Sequence, residues 1–438
     1  MYLKGSKLSM NKKRRRSNPL LIILLAGAII FLVYFNVMVV PGMNPPFVPT
    51  PTETRDPVSY EIEAQNLATE GKFIAAIEAY QQAINANPKK IENYLNIARL
   101  QIYSGAYAQA QVSAENAVLL ENDNPEAYAL LGWAKGMQQN YLEGEKDAKT
   151  AISLNPNSAL AHAVYAYILA LRVEAGLNEL DTMDLAIEES RTALALDANL
   201  LEARWARGYV LEITSNYADA TEQYQIAVQL NSNIAQLHLA LGRNYMALGQ
   251  NDEAIFEFTK AYSLNPTDPM PNYFISRVYG SLGEWAKAIQ YGENALRDGP
   301  TEAFLYANLG TMYYRSGAYN QAIPYLEKAV RGGVTEDGEV IEGMPLDYTT
   351  SVIEIYSRYG LALARVNRCT EAVAVANAIL QTVPDNADGV YNANEMIRIC
   401  QENLTNPPTE TPAPTETPVS GPSPTPQGTP LPTQTPTP

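Results

Sequence analysis

The sequence predicts an all-α repeat protein, a solenoid built from antiparallel helix pairs. The first observation is a fixed spacing of 34 residues, stretched twice to 42 and 50, between nine small residues. These residues are Ala64, Ala98, Gly132, Ala166, Gly208, Gly242, Ser276, Gly310 and Gly360. A period near 34 residues is typical of stacked two-helix units. Such stacks hold other molecules on an extended surface, so the period favours a binding protein over an enzyme.

The second observation is that alanine, glycine and proline also recur at fixed positions of the same repeat unit. If the small residue is the eighth position of each unit, positions 20 and 27 are alanine in most copies, beginning with Ala76 and Ala83. Small side chains at these places let helix backbones approach closely. Glycine recurs at position 15, where the first helix must reverse, and proline recurs at position 32, where the second helix must end. Each unit is therefore a helix, a tight turn, a second helix and a stop.

This pattern resembles the tetratricopeptide repeat family over roughly residues 57 to 402. The copy at residues 235–268 has eight family positions in register: Leu241, Gly242, Tyr245, Gly249, Ala254, Phe258, Ala261 and Pro266. The chain departs from the family at position 4, which is often tryptophan there and is tyrosine, histidine, arginine or asparagine here. The resemblance implies a right-handed superhelix in which the first helix of each pair lines a concave groove.

The N-terminus predicts a membrane anchor. Residues 1–18 contain seven basic residues and no acidic ones, and residues 19–40 are uncharged. About 20 apolar residues suffice to cross a bilayer core as a helix. Because basic residues stay on the cytoplasmic side, we expect a single-pass protein with residues 1–18 in the cytoplasm and the array outside. A cleaved signal peptide is the alternative, although this apolar segment is longer than most signal cores.

The rest of the chain divides by composition. Residues 57–386 form the predicted repeat array, with insertions near residues 169–183 and 331–350, and residues 387–403 form a capping helix. The second insertion is compatible with a short β-hairpin. Residues 41–56 and 404–438 are rich in proline and threonine, and we expect a disordered linker and tail there. The tail is either a spacer through the cell wall, which O-glycans would decorate, or a solubilising segment.

The charge distribution excludes nucleic acid as a partner. The chain carries a net charge of −16, and the first 18 residues hold 7 of its 31 basic residues and none of its 47 acidic ones. The remainder therefore has 24 minus 47, or −23. An array this acidic repels phosphates. Solubility explains the charge, and a cationic partner is the alternative.

Two cysteines remain, Cys369 at position 17 of the ninth repeat and Cys400 in the capping helix. In the repeat geometry a side chain at position 17 points toward the next helix, so the two sulfurs could meet. A disulfide between them would persist outside the membrane. Two buried free thiols are the alternative.

The sequence predicts no enzyme, no cofactor and no metal site. Its two histidines, His162 and His238, both occupy position 4, which packs inside the helix pair. Zinc-protease, nucleotide-binding, redox and nucleophile-elbow motifs are missing from the sequence. Paired carboxylates have no fixed spacing, so acidic hydrolase chemistry has no signature to test.

The concave groove is the predicted binding site. Family geometry puts positions 5 and 9 on the concave face, and the lysine and asparagine that clamp a terminal carboxylate in some relatives are missing from both. We expect instead a groove of aromatic residues and arginines: Trp133, Tyr167, Trp205, Tyr209, Arg243, Tyr273, Arg277 and Tyr314. Such residues dominate the energy of protein interfaces. The predicted function is a non-enzymatic, membrane-anchored scaffold for a protein or peptide. The alternatives are a glycan-binding or wall-contacting module, in which the rings stack on sugars, and rings that merely fill space between helices.

Overall fold

The computed structural model describes residues 18–39, 56–177 and 179–405. The predicted basic segment, most of the linker and nearly all of the Pro/Thr-rich tail lie outside these ranges. A lone apolar helix, α1 (Pro19–Tyr34), continues into a π-helical turn at Phe35–Val39. The segment Pro19–Met38 is long and apolar enough to cross a membrane. It is compatible with a membrane anchor or a signal sequence.

The remainder of the described chain is a solenoid of nine antiparallel helix pairs and a terminal helix, which confirms the predicted fold class. The first helices of the pairs are α2 (Pro57–Thr69), α4 (Ile91–Tyr103), α6 (Pro125–Met137), α8 (Ala159–Glu174), α10 (Leu201–Ile213), α12 (Ala235–Ala247), α14 (Met270–Ser281), α16 (Ala303–Arg315) and α18 (Thr350–Arg365). The second helices are α3 (Phe73–Ala86), α5 (Tyr107–Leu120), α7 (Tyr141–Leu154), α9 (Thr182–Leu196), α11 (Tyr217–Leu230), α13 (Asn251–Leu264), α15 (Trp285–Asp298), α17 (Tyr319–Arg331) and α19 (Cys369–Thr382). The array ends with α20 (Ala387–Thr405).

In eight of the nine pairs the turn is left-handed at position 15, as the glycines predict. Gly71 and Gly317 have φ of 77° and 84°, and repeats without glycine use Gln139, Ser215 or Asn367 with φ between 60° and 65°. In the fourth pair α8 continues past that position, and the left-handed residue that follows it is Gly176, with φ of 69°. The small residue at position 8 is required by close packing. A Cβ on Gly132 would lie 2.7 Å from the carbonyl oxygen of Gly144 on α7.

In five repeats the side chain at position 4 contacts the backbone carbonyl six residues earlier, in the loop that joins two repeats. In two others it bonds elsewhere, because Asn272 donates to Asp298 and Tyr356 donates to the carbonyls of Val330 and Met344. Tyr306 donates to the Pro300 carbonyl at 2.9 Å, and Arg204 donates to the Ala198 carbonyl at 2.8 Å. The Nε2 atoms of His162 and His238 make the equivalent contacts at 3.0 Å. Tyrosine, histidine, arginine and tryptophan all supply an N–H or O–H donor, so they are interchangeable here. Both histidines are buried, as predicted.

The two insertions have different structures. The first adds a turn to α8 and lengthens the loop before α9. The second contains the expected hairpin, with strand β1 (Gly333–Val334) antiparallel to β2 (Val340–Ile341). Ile341 is buried against the last repeats, which fixes the hairpin to the array.

Candidate binding site on the concave face

The first helices of repeats three to five pack unusually tightly. Small buried side chains are frequent on these helices, such as Ala129 of α6, Ala163 of α8 and Ala206 of α10. Twelve of the sixteen residues of α8 are buried. Small side chains bring helix axes together. The concave edge of these repeats is therefore shorter than the outer edge, and the array curves sharply.

The curvature closes the first six repeats on themselves. Arg99 of α4 forms an ion pair with Glu202 of α10, which is 103 residues away. The hydroxyl of Tyr103 donates to the same carboxylate at 2.8 Å. Asn233, in the loop before α12, donates its side-chain amide to the carbonyl of Thr69 at the end of α2, at 3.3 Å. Opposite walls of the predicted groove are thus in direct contact.

Aromatic side chains fill the axis of this closed part. We call Tyr103, Trp133, Tyr167, Trp205 and Tyr209 the aromatic hub. The ring centroids of Trp133 and Trp205 are 5.4 Å apart, and those of Tyr167 and Tyr209 are 4.6 Å apart. These separations are typical of attractive aromatic pairs.

The hub corrects the sequence-based site. Trp133, Tyr167, Trp205 and Tyr209 were expected to line an open groove, but their exposed fractions are 2%, 7%, 4% and 5%. They do point toward the superhelix axis from positions 5 and 9. The tight curvature leaves no space on that axis, so the rings pack on one another and present no open surface. The space-filling alternative holds for these four residues.

Polar groups at the border of the hub are paired internally. Arg243 donates through Nε to Glu212 at 2.8 Å, and the hydroxyl of Tyr224 donates to the same carboxylate at 2.9 Å. Burial disfavours the charged guanidinium, yet the Glu212 carboxylate outweighs burial and raises the pKa of Arg243. The hydroxyl of Tyr209 donates to Glu174. Burial raises the pKa of both Tyr167 and Tyr209, so both stay neutral. Arg243, Tyr224 and Tyr209 therefore all have partners within the array.

One cavity of about 430 Å³ remains beside the closed part, lined by Gln65 and Arg99, and Arg99 is already paired with Glu126 and Glu202. The concave face is also open further along, between α14, α16 and α18. A cavity of about 390 Å³ lies there. We call it the arginine cleft, and its lining includes Tyr273, Arg277, Phe304, Thr311, Arg315, Met344, Glu354, Ile355 and Arg358. Arg358 pairs with Glu354 at 2.6 Å. Among the ion pairs of residues 56–177 and 179–405, none involves Arg277 or Arg315.

Both unpaired arginines rest on aromatic rings. The Arg277 guanidinium lies 5.6 Å from the ring centroid of Tyr273 and donates to its hydroxyl at 3.2 Å. The Arg315 guanidinium lies 4.9 Å from the ring of Trp285. Such stacking holds the long side chain without neutralising its charge.

The structure therefore divides the predicted site residues: four lie in the aromatic hub, Arg243 lies at its border, and three lie elsewhere. Tyr273 and Arg277 lie together in the arginine cleft. Tyr314 lies apart, half-buried with its ring 5.4 Å from that of Tyr319, and burial raises its pKa while Arg365 opposes the rise. Sequence reasoning missed Arg315, which follows position 9 of its repeat by four residues and so shares its helix face. The four-residue spacing from position 9 would have identified Arg315 from the sequence.

The structure joins Cys369 and Cys400 in a disulfide, with their Cα atoms 5.4 Å apart. The bond ties the first turn of α19 to α20 and so fastens the last helix to the array. Among the described residues, no group of three or more histidine, cysteine, aspartate or glutamate side chains is arranged to hold a metal ion.

Parts of the chain match models of a known protein family. Models of the tetratricopeptide repeat match residues 67–134, 235–268 and 305–331. All three lie within the helix pairs described above. The chain therefore contains tetratricopeptide repeats at these positions. Repeats of this family are interaction scaffolds for proteins and are typically non-catalytic.

Three solved structures are among those similar to the chain. A tetratricopeptide repeat protein from Parabacteroides merdae ATCC 43184 is 14% identical, with 58% of this chain and 98% of that one covered and a TM-score of 0.37. PilF of Pseudomonas aeruginosa is 22% identical, with 47% and 90% covered and a TM-score of 0.39. MamA is 23% identical, with 41% and 94% covered and a TM-score of 0.28. No curated protein matches significantly.

Proposed function

We propose that this protein is a membrane-anchored scaffold whose array lies outside the membrane and binds a protein or peptide in the arginine cleft. The observation that supports this most is the contrast between the two parts of the concave face. In the first six repeats opposite walls meet, the aromatic hub is buried, and the concave arginines Arg99 and Arg243 are ion-paired. In repeats seven to nine the concave face is open and presents Tyr273, Arg277 and Arg315, residue types that dominate interface energies.

The anchor rests on the N-terminal segment. Pro19–Met38 has a mean hydropathy of 2.7, and the structure leaves this helix exposed rather than packed on the array. An exposed apolar helix of this length is stable in a bilayer. The basic residues before it favour a cytoplasmic N-terminus and an external array.

The glycan-binding alternative loses its main support. It required rings that offer a flat face to a sugar, and four of the six aromatic residues assigned to that role are buried. The other two already have ring partners, since Tyr273 lies under Arg277 and Tyr314 lies against Tyr319. The two remaining predicted residues, Arg243 and Arg277, are not aromatic. We therefore retain protein or peptide binding alone.

Site-specific crosslinking tests the proposal. A photoreactive amino acid at Thr311, which lines the arginine cleft, should crosslink a defined partner in intact cells. The matched control carries the same group at Gln290, an exposed residue of α15. Crosslinks of equal yield from both positions, or from Gln290 alone, would contradict binding in the cleft. Protease added to the outside of intact cells should digest the array, and full resistance would contradict the external placement.

A further inference from the structure

We propose that the arginine cleft recognises an internal acidic segment of its partner, bound as extended chain, with side-chain carboxylates on Arg277 and Arg315. This inference rests on the proposed function and adds the chemistry of the partner. It differs from capture of a chain terminus, because the recognised groups are side chains within a segment.

Charge supports an anionic occupant. The chain as a whole has a net charge of −16, and everything after residue 18 sums to −23. The cleft lining reverses this sign, since among its described residues it has three arginines and one carboxylate, that of Glu354. Glu354 neutralises Arg358. Two positive charges, on Arg277 and Arg315, remain for a ligand.

The geometry favours two carboxylates on one extended strand. Arg277 lies on α14 and Arg315 on α16, the first helices of neighbouring repeats. Packed helices lie about 10 Å apart, and extended chain advances about 3.3 Å per residue. Acidic residues about three positions apart would therefore reach both arginines. Stacking on Tyr273 and Trp285 already orders the two guanidiniums, which reduces the entropy lost on binding.

The cleft also has an apolar wall. Phe304 and Met344 are half-buried, and Ile355 is buried beside them. Met344 comes from the insertion after α17, so the insertion adds one residue to a wall that also contains Phe304 of α16 and Ile355 of α18. An apolar side chain between or beside the two acids would lie against it. The expected ligand is thus an acidic segment with interspersed aliphatic residues.

The experiment uses full-length protein in detergent and a labelled twelve-residue peptide. The peptide has two glutamates three positions apart, each followed by leucine, in a glycine–serine background with an amidated C-terminus. We expect it to bind at least about tenfold more tightly than its glutamine analogue at low salt, with the difference shrinking near 1 M salt as charges are screened. Arg277→Gln and Arg315→Gln should each weaken binding by about fivefold. Arg297→Gln, an exposed arginine on α15, is the matched control and should leave binding unchanged.

Several results would overturn the inference. Equal binding of the glutamine analogue would mean that the carboxylates are not recognised, and an equal loss in Arg297→Gln would mean unspecific attraction. A dimer that Arg277→Gln and Arg315→Gln convert to monomer would identify a second copy as the occupant. If these peptide tests fail while Thr311 still crosslinks a partner, the inference is wrong and the proposed function stands. If the peptide binds as expected but Thr311 crosslinks nothing in cells, the proposed function is wrong.

Discussion

Trp205→Ala removes the side chain that joins the two walls of the closed repeats. Trp205 is 4% exposed, and its ring lies 6.4 Å from Tyr103, 5.4 Å from Trp133 and 6.2 Å from Tyr167. Truncating a buried tryptophan costs about 3–5 kcal/mol. In repeat arrays each unit is stabilised mainly by its contacts with neighbouring units. The loss of stability should therefore stay within the repeats that contribute residues to the hub. We expect α4 to α10 to lose about 3 kcal/mol or more of local stability, with α16 to α20 unaffected.

Hydrogen exchange of the full-length protein, resolved by peptide, measures this directly because it reports local opening free energies. The matched control is Trp285→Ala, since Trp285 is half-buried outside the hub and stacks with Arg315. It should leave exchange in α4 to α10 unchanged. If Trp205→Ala also leaves these helices unchanged, the hub does not hold the repeats closed. The four predicted aromatic residues would then again be candidates for a binding groove.

Three further predictions concern pH, the disulfide and the small residues. Burial raises the pKa of Tyr107 to about 12 from its ordinary 10.0, so the unfolded chain loses this proton first. Its contribution to stability should be complete below pH 10 and disappear as the pH rises toward 12, which tyrosinate absorbance during alkaline unfolding measures. Replacing Cys369 and Cys400 by serine should cost roughly 3–4 kcal/mol on the chain-entropy estimate, seen as faster exchange in α20 alone; unchanged exchange would mean the bond does not hold that helix. Gly132→Ala should destabilise repeat three by about 1–3 kcal/mol, because its Cβ would meet the Gly144 carbonyl, and an unchanged denaturation midpoint would contradict this.

The repeat frame was predictable because its signals are local. A residue at position 15 must adopt positive φ whatever surrounds it, and glycine there marks the turn. The contact that position 4 makes in five repeats with the loop six residues earlier also lies within a short stretch of chain. Chemically different side chains meet that requirement, so the frame survives even where the residue type changes.

The candidate site was only partly predictable. Tyr273 and Arg277 were found from their positions in the repeat, and Arg315 could have been found from its helical spacing. Phe304 and Met344 could not, because their place in the cleft depends on how α16 and the insertion after α17 lie against α18. That arrangement is set by contacts between repeats and leaves no periodic trace.

By itself the sequence determined the helix pairs, their order and which positions face the superhelix axis. Only the tertiary structure decided whether that axis is open. Curvature is the sum of many helix–helix spacings, each set by the bulk of the side chains on both partners. In repeats three to five alanine and glycine make those spacings short, so Arg99 meets Glu202 and the aromatic hub closes. In repeats seven to nine the same inward positions lie apart, and Arg277 faces an open cleft.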